Sequence, residues 1–195
     1  MVRLAFLCLA IAGCAVGPAD RVPSPATAGG VTPPPLDALD RLVHDEANAA
    51  RQRAGREPVR WSGRLARAAR AHGEDMARRR YFGHVSPEGA TPTQRAAAQG
   101  TVCRTPVGEA EVRDGVLENL YRTTRYARVT DRRLGPTRTR TVEWFTDASI
   151  ARAAVRGWLG SAGHRQNLLD RHARSEGVGV AVGPDSLVYV VQLLC

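Results

Sequence analysis

The sequence contains no lysine. All 28 basic residues are arginine, against 19 acidic residues, and the formal net charge is +9. This choice of cation is explained more simply by the codon usage of a GC-rich genome than by selection for one ligand. Aromatic residues are also few, 5% of 195, and most lie apart from the arginine clusters. Because base stacking needs aromatic rings set among the cations, we predict that nucleic acid is not a partner.

The apolar run at the N-terminus is too short to cross a bilayer. Leu4–Ala12 follows a single cation at Arg3, whereas a membrane-spanning helix needs roughly 20 residues. The run has the length of a signal-peptide core, and the following Gly13-Cys14 resembles the end of a bacterial lipobox. We expect Cys14 to be acylated and to anchor the chain to a membrane. The alternative is an ordinary signal peptide with Cys14 incidental.

Proline, glycine and small residues dominate positions 15–35, which show no hydrophobic period. This composition is typical of a tether. The predicted organisation is therefore a signal segment over 1–14, a tether over 15–35 and one domain over 36–195.

Cysteine is scarce, with four residues in the chain. Cys8 would leave with the signal segment and Cys14 would carry the lipid, so two thiols remain, Cys103 and Cys195. In an oxidising compartment we expect these two to form a disulfide. The alternative is a pair of free buried thiols.

Hydrophobic spacing predicts the main elements of this domain. Helices are predicted over about 36–55, 62–80, 91–99 and 147–161. Strands are predicted over 125–129, 138–145, 178–182 and 187–194. The first two strands flank a turn at Leu134–Thr137, and the last is apolar enough to be buried on both faces. Helices at both ends of the domain and antiparallel strands at its C-terminus indicate an α+β fold, with helices covering a sheet.

Two of the five histidines lie in unusual settings. His84 and His164 each follow a glycine, just after an apolar helix that carries an aromatic residue. This placement allows the imidazole to enter a crevice while the helix stays packed. The alternative is that each histidine only holds a turn. We interpret His44, His72 and His172 as structural or exposed.

Several local strings, taken together, resemble the bacterial branch of the CAP superfamily (cysteine-rich secretory proteins, antigen 5 and pathogenesis-related 1 proteins; the SCP domain). The resemblance covers about residues 40–194. It is carried by Asn48-x-x-Arg51, Trp61-x-x-x-Leu65, Phe82-Gly-His84-x-Ser86-Pro87-x-Gly89, Glu118-Asn119-Leu120, Trp158-x-x-Ser161-x-Gly163-His164-Arg165-x-Asn167 and Gly177-Val-Gly-Val180.

The resemblance implies a three-layer α-β-α sandwich with a central antiparallel sheet and a cleft holding a His/Glu cluster. His84 and His164 match the two histidines, Glu118 matches one glutamate, and Ser161 stands where eukaryotic relatives have the second. Leu117 departs from the Gly-Glu-Asn pattern of the family. Glu109, preceded by glycine, is a competing candidate for the cleft carboxylate, and residues 121–146 form a longer insert than usual, which either rims the cleft or decorates an edge.

Two readings of the cleft follow from its chemistry. His84, Glu118 and His164 are the ligand types of an open divalent metal site, such as a catalytic Zn²⁺ site, so the alternative function is a metal-dependent hydrolase. However, the ligands are spread over 80 residues without a tight motif, and no serine or cysteine nucleophile arrangement is present. We therefore expect a lipid-anchored envelope protein that binds a lipid, sterol or cell-wall ligand without catalysis. A third possibility is a scaffold with a vestigial cleft.

Overall fold

The structure is a computed structural model that describes Leu36 and residues 38–195. The expectations for the signal segment, the tether and acylated Cys14 fall outside these residues. The helices of the described part are α1 (Leu39–Arg53), α2 (Gly63–Arg79), α3 (Pro92–Ala98), α4 (Asp147–Gly160) and α5 (Ala162–Leu168). None of the helices within the described residues is both long and apolar enough to span a membrane.

Side-chain caps set the starts of three helices. The hydroxyl of Ser62 accepts from the Leu65 amide at the start of α2, and Thr146 accepts from the Ser149 amide at the start of α4. Thr91 caps the start of α3 with a complete capping box. Such caps satisfy backbone N–H groups that have no partner inside the helix.

The strands are β1 (Arg60–Trp61), β2 (Arg104–Pro106), β3 (Val112–Asp114), β4 (Leu117–Thr124), β5 (Tyr126–Leu134), β6 (Thr137–Trp144), β7 (Ser175–Val182) and β8 (Leu187–Leu194). The central sheet has the order β1-β7-β8-β4. β7, β8 and β4 are antiparallel, but the short β1 pairs with β7 in parallel. The expected antiparallel sheet is thus mixed, because the chain crosses from α1 to α2 along the edge of β7.

Helices cover both faces of this sheet, so the predicted three-layer α+β architecture is confirmed. Alternate residues of β7 and β8 divide between two cores, since successive side chains point to opposite faces. Val178, Val180, Val188 and Val190 pack with α1 and α4. Ala181, Tyr189, Val191 and Leu193 pack with α2. β8 is buried on both faces, as predicted.

A disulfide joins Cys103 to Cys195, with a Cα–Cα distance of 5.6 Å. It confirms the pairing expected from the cysteine count. The bond ties the last residue of the chain to the segment before β2, and Cys103 is itself buried. The C-terminal strand is therefore held covalently as well as by its two neighbouring strands.

The sequence patterns missed some elements. β4 was not predicted, although it belongs to the central sheet, because its polar residues hide the alternation of a half-buried strand. α5 was also missed, so His164 lies in a short helix and not in a loop. The hairpin β5–β6 was predicted and is longer than expected, and the 121–146 insert begins inside β4.

Candidate functional site

The candidate site lies at the open edge of the central sheet, along β4. Glu118 and Asn119 are neighbours on this strand, so their side chains point to opposite faces. Glu118 points toward the layer of α2 and α3, where its carboxylate meets His84 and Arg95. Asn119 points toward α5, where its amide donates to the carbonyl of His164. The two layers therefore approach each other around the edge of one strand.

His84 lies in the loop between α2 and α3. His72, buried in α2, bonds through its Nε2 to the carbonyl of Gly83 at 3.0 Å and so supports this loop from below. Burial lowers the pKa of His72, despite attraction by Glu118, which favours the neutral ring that donates one hydrogen bond. Farther along the loop, Ser86 accepts from the amide of Ala90 at 3.1 Å. Hydrogen bonds therefore hold the loop at Gly83 and at Ser86, on both sides of His84.

Both oxygens of the buried Glu118 carboxylate have partners inside the protein. One oxygen accepts from Nδ1 of His84 at 2.8 Å, and the other accepts from the guanidinium of Arg95 at 2.7 Å. The Glu118 side chain is only 2% exposed, whereas that of His84 is 49% exposed. Arg95 also donates to the carbonyls of Ala90 and His84. The guanidinium therefore pairs with the carboxylate and also holds the His84 loop.

His164 reaches the same place from the opposite layer. Its ring centroid lies 5.9 Å from that of His84. Burial, and then repulsion by the His84 ring, lower the pKa of His164 below its ordinary value. The imidazole is therefore neutral at pH 7 and offers one donor and one acceptor. Two histidines 80 positions apart thus meet beside one carboxylate.

Side chains also cover the outer edge of β4. The carbonyl of Glu118 accepts from the amide of Asn167 at 3.0 Å, and the carbonyl of Leu120 accepts from the indole N–H of Trp158 at 3.0 Å. An edge strand with unpaired carbonyls invites pairing with another chain. These two contacts satisfy two carbonyls of the edge strand and at the same time hold α4 and α5 against it.

A buried chain of polar side chains leads away from the site across the sheet. Asn119 donates to Gln192 at 2.9 Å, and Gln192 donates to Glu176 at 2.5 Å. Glu176, which is fully buried, also contacts Nδ1 of His44 at 2.5 Å. Because buried polar groups must be paired, this chain fixes the register of β4, β8 and β7. His44, which we interpreted as structural or exposed, is a structural member of it.

The structure places the other predicted residues as follows. Ser161 lies at the junction of α4 and α5, and its hydroxyl makes no hydrogen bond that caps α5. Glu109 is exposed in the turn between β2 and β3, which form their own two-stranded sheet. Of the two candidate carboxylates, Glu118 is therefore the one in contact with His84.

The donor set does not fit a divalent metal as arranged. Both carboxylate oxygens of Glu118 are taken by His84 and Arg95, and the guanidinium would stand beside any bound cation. Within residues 36 and 38–195, no group of three or more His, Cys, Asp or Glu side chains is placed to hold a metal ion. The geometry therefore gives no support to a metal-dependent hydrolase using His84, Glu118 and His164.

Sequence reasoning missed Arg95, the residue that decides the charge of the site. Its only signal was its place directly after the capping-box glutamine, in a chain with 28 arginines. Gln192 and Glu176 were also missed. Each lies in a strand whose other residues are mostly apolar, and the apolar pattern drew attention away from the single polar residue. A polar residue within such a strand is itself a signal of a buried network.

The three-layer fold and the paired histidines at the β4 edge define an SCP-type domain. The model of the Cysteine-rich secretory protein family (CAP) matches residues 44–194. The chain therefore belongs to this family.

Known relatives agree with this assignment. The chain is 24% identical over 147 residues to the uncharacterized protein YkwD of Bacillus subtilis, covering 75% of this chain and 44% of that protein. It thus spans less than half the length of this curated relative. An extracellular SCP-domain protein of Bacillus anthracis has a TM-score of 0.57 at 24% identity, over 85% of this chain and 44% of the other.

A third relative is similar over nearly its whole length. An outer surface protein of Borrelia burgdorferi has a TM-score of 0.57 at 15% identity, covering 84% of this chain and 96% of that one. At such low identity the two solved structures support the fold alone.

Proposed function

We propose that this chain is an exported, lipid-anchored CAP-domain protein of the bacterial cell envelope. In this proposal it binds a lipid or another envelope ligand in the cleft formed by His84, Glu118, Ser161 and His164, without catalysis. Its partners are the membrane, through acylated Cys14, and the cleft ligand. The relatives support export, since one is an extracellular protein and another an outer surface protein.

One observation carries the binding function: the ion pair between Arg95 and Glu118 at 2.7 Å. A general base must be free to accept a proton from the substrate, and a metal ligand must offer a lone pair to the cation. Glu118 is engaged with a guanidinium and an imidazole, so it serves neither role without giving up a buried ion pair. Its role here is to hold His84.

The remaining chemistry favours a ligand that can both donate and accept hydrogen bonds. His84 donates from Nδ1 to Glu118, so Nε2 of its half-exposed ring is left to accept a hydrogen bond when the ring is neutral. The neutral ring of His164 offers one donor and one acceptor. Hydroxyl and phosphate groups of lipid headgroups, and the hydroxyls of wall polymers, supply both kinds of partner. No nucleophile is required for such binding.

Native mass spectrometry of the purified full chain tests the cleft. We expect co-purified lipid that is retained after treatment with a chelator and lost in His84→Ala and His164→Ala. His172→Ala, a change outside the cleft, is the matched control and should keep the lipid. Retention in both cleft variants, or a stoichiometric metal ion that disappears in them, would contradict the proposal.

The anchor is tested separately, because Cys14 lies outside the described residues. Expression of the full precursor in a bacterial host, followed by fractionation, should place the parent chain in membranes. Cys14→Ser should shift it to the soluble fraction, whereas Cys8→Ser, a change in the segment predicted to be removed, should not. Equal membrane association of the two variants would refute lipidation at Cys14.

A further inference from the structure

The hairpin β5–β6 stands apart from the central sheet. Its strands pair only with each other and form a separate two-stranded sheet within the described residues. Tyr126 pairs with Trp144 at the base, and Leu134 pairs with Thr137 at the tip. The structure of the candidate site uses none of these residues, so the hairpin is available for another role.

Positive charge is concentrated near the tip of the hairpin. Asp131 is bound by Arg140 through two hydrogen bonds at 2.7 Å, so this acidic residue already has its counter-charge. Arg132, Arg133 and Arg138 are exposed around it. The Arg138 side chain is 72% exposed and lies 3.7 Å from the same Asp131 carboxylate, which it shares with Arg140. Residues 131–140 contain four arginines and one aspartate, so this end of the hairpin has a net charge of +3.

An apolar side chain lies at the tip, on the same face as one of these cations. Leu134 begins the turn and is 83% exposed. The register places it on the same face as Arg132, with Thr130, Thr137, Thr139 and Thr141. An exposed leucine is unremarkable alone, but a leucine at the tip of a ribbon that carries arginines on both faces has the composition of a membrane-contacting tip.

The same features disfavour nucleic acid. The aromatic pair lies at the base of the hairpin, so no ring is available at the tip for base stacking. Leu134 would gain nothing on a phosphate backbone, whereas burial in the acyl boundary of a bilayer removes it from water. Arginines near an anionic surface are attracted to it and extend their charged ends to the headgroups.

We propose that the β5–β6 hairpin is a second membrane contact, which docks its tip on anionic phospholipid through Leu134 and the arginines on both faces of the hairpin. This inference does not depend on ligand binding in the cleft. Together with the proposed anchor, it would hold the domain in one orientation on the bilayer surface.

Vesicle flotation of the full chain tests the proposal. Partition is measured on phosphatidylcholine vesicles and on vesicles that also contain phosphatidylglycerol. The N-terminal segment contributes to both compositions, so the ratio of the two partition coefficients reports the anionic contact. Binding to phosphatidylcholine alone reports the N-terminal segment, which keeps failure of the hairpin distinguishable from failure of the anchor.

The triple variant Arg132→Gln/Arg133→Gln/Arg138→Gln should reduce the ratio by roughly 100-fold, at about fivefold for each arginine. Leu134→Ser should weaken binding to anionic vesicles by roughly tenfold. The charge-matched control removes three exposed arginines elsewhere, Arg53, Arg152 and Arg156, and should leave the ratio within about twofold. Thermal unfolding of all variants should match the parent, because the changes are exposed.

Three outcomes would overturn the proposal. The first is an equal loss in the control triple, which would mean that total charge alone attracts the vesicles. The second is no loss in the hairpin triple. The third is hairpin-dependent binding to duplex DNA, or hairpin-dependent self-association, without any preference for anionic vesicles.

Discussion

Removal of Arg95 is the sharpest test of how the site is built. Arg95→Met deletes the guanidinium and keeps a side chain of similar length. Glu118, with a side chain 2% exposed, would then be left with His84 as its remaining partner, and the Arg95 side chain that is lost was itself only 13% exposed. Breaking a buried pair by removing one partner typically costs about 3–5 kcal/mol, because an uncompensated charge stays buried.

The expected magnitudes follow from the contacts. Arg95→Met should lower the free energy of unfolding by about 4 kcal/mol, since it loses the pair and two carbonyl contacts. Glu118→Leu should lower it by about 3 kcal/mol, because the guanidinium keeps those carbonyls. The double variant should lose about 4 kcal/mol, not the sum of about 7, because without Glu118 the guanidinium contributes only its carbonyl bonds, about 1 kcal/mol.

Urea unfolding of the four proteins measures this coupling. If the losses of free energy of unfolding in Arg95→Met and Glu118→Leu simply add in the double variant, the two side chains do not stabilise each other and the predicted ion-pair energy is refuted. Isothermal titration with Zn²⁺ gives a second readout. Arg95→Met frees one oxygen of Glu118 and removes a cation, so it should bind Zn²⁺ more tightly than the parent. Equally tight, stoichiometric binding by the parent would contradict the conclusion that the donor set does not fit a metal.

Other predictions follow from the described contacts. Replacing both bridge cysteines, Cys103→Ser and Cys195→Ser, should lower the free energy of unfolding by about 4 kcal/mol, given a sequence separation of 92 residues and the loop entropy of the unfolded chain; urea unfolding measures it, and a loss below about 1 kcal/mol would contradict it. Because burial lowers the pKa of His72 below 6.5, the unfolded state binds more protons once the pH falls below that value. The free energy of unfolding should therefore be highest above pH 6.5 and should decrease as the pH falls toward the folded-state pKa of His72. Thermal unfolding measured across this pH range checks the trend, and the decrease should be smaller in His72→Gln. A Cβ at Gly179 would overlap the α2 backbone, so Gly179→Ala should cost about 3 kcal/mol, whereas Gly160→Ala, with open space around it, should cost less than about 0.5 kcal/mol in the same assay.

Most helices could be predicted from the sequence because their signals are local. A cap such as Ser62 or Thr91 and an apolar residue every three to four positions act within one or two turns. The C-terminal strands were equally predictable, since an almost unbroken apolar run such as that of β8 is buried wherever the chain places it. β4 could not be read in this way. Its burial depends on β8, which lies about 70 residues farther along the chain and supplies its hydrogen bonds.

The candidate site also combines residues that local sequence predicted with a residue that it could not predict. His84 and His164 were found from their local setting and from a family resemblance, and the structure brings them to 5.9 Å. Arg95 was missed because nothing near it in sequence marks it out from other arginines. Its importance comes from the carboxylate 23 positions away, and only packing of α3 against the β4 edge creates that neighbour.

The sequence by itself determined most of the helices and the C-terminal strands, which two cysteines were left to pair, and which histidines were worth attention. Spacing, capping and counting decide these matters within a few residues or by elimination. Only the tertiary structure decided the charge of the candidate site, because an ion pair depends on distance in space. A carboxylate beside two imidazoles is a metal-ligand set on paper, and a single guanidinium at 2.7 Å changes what it can bind.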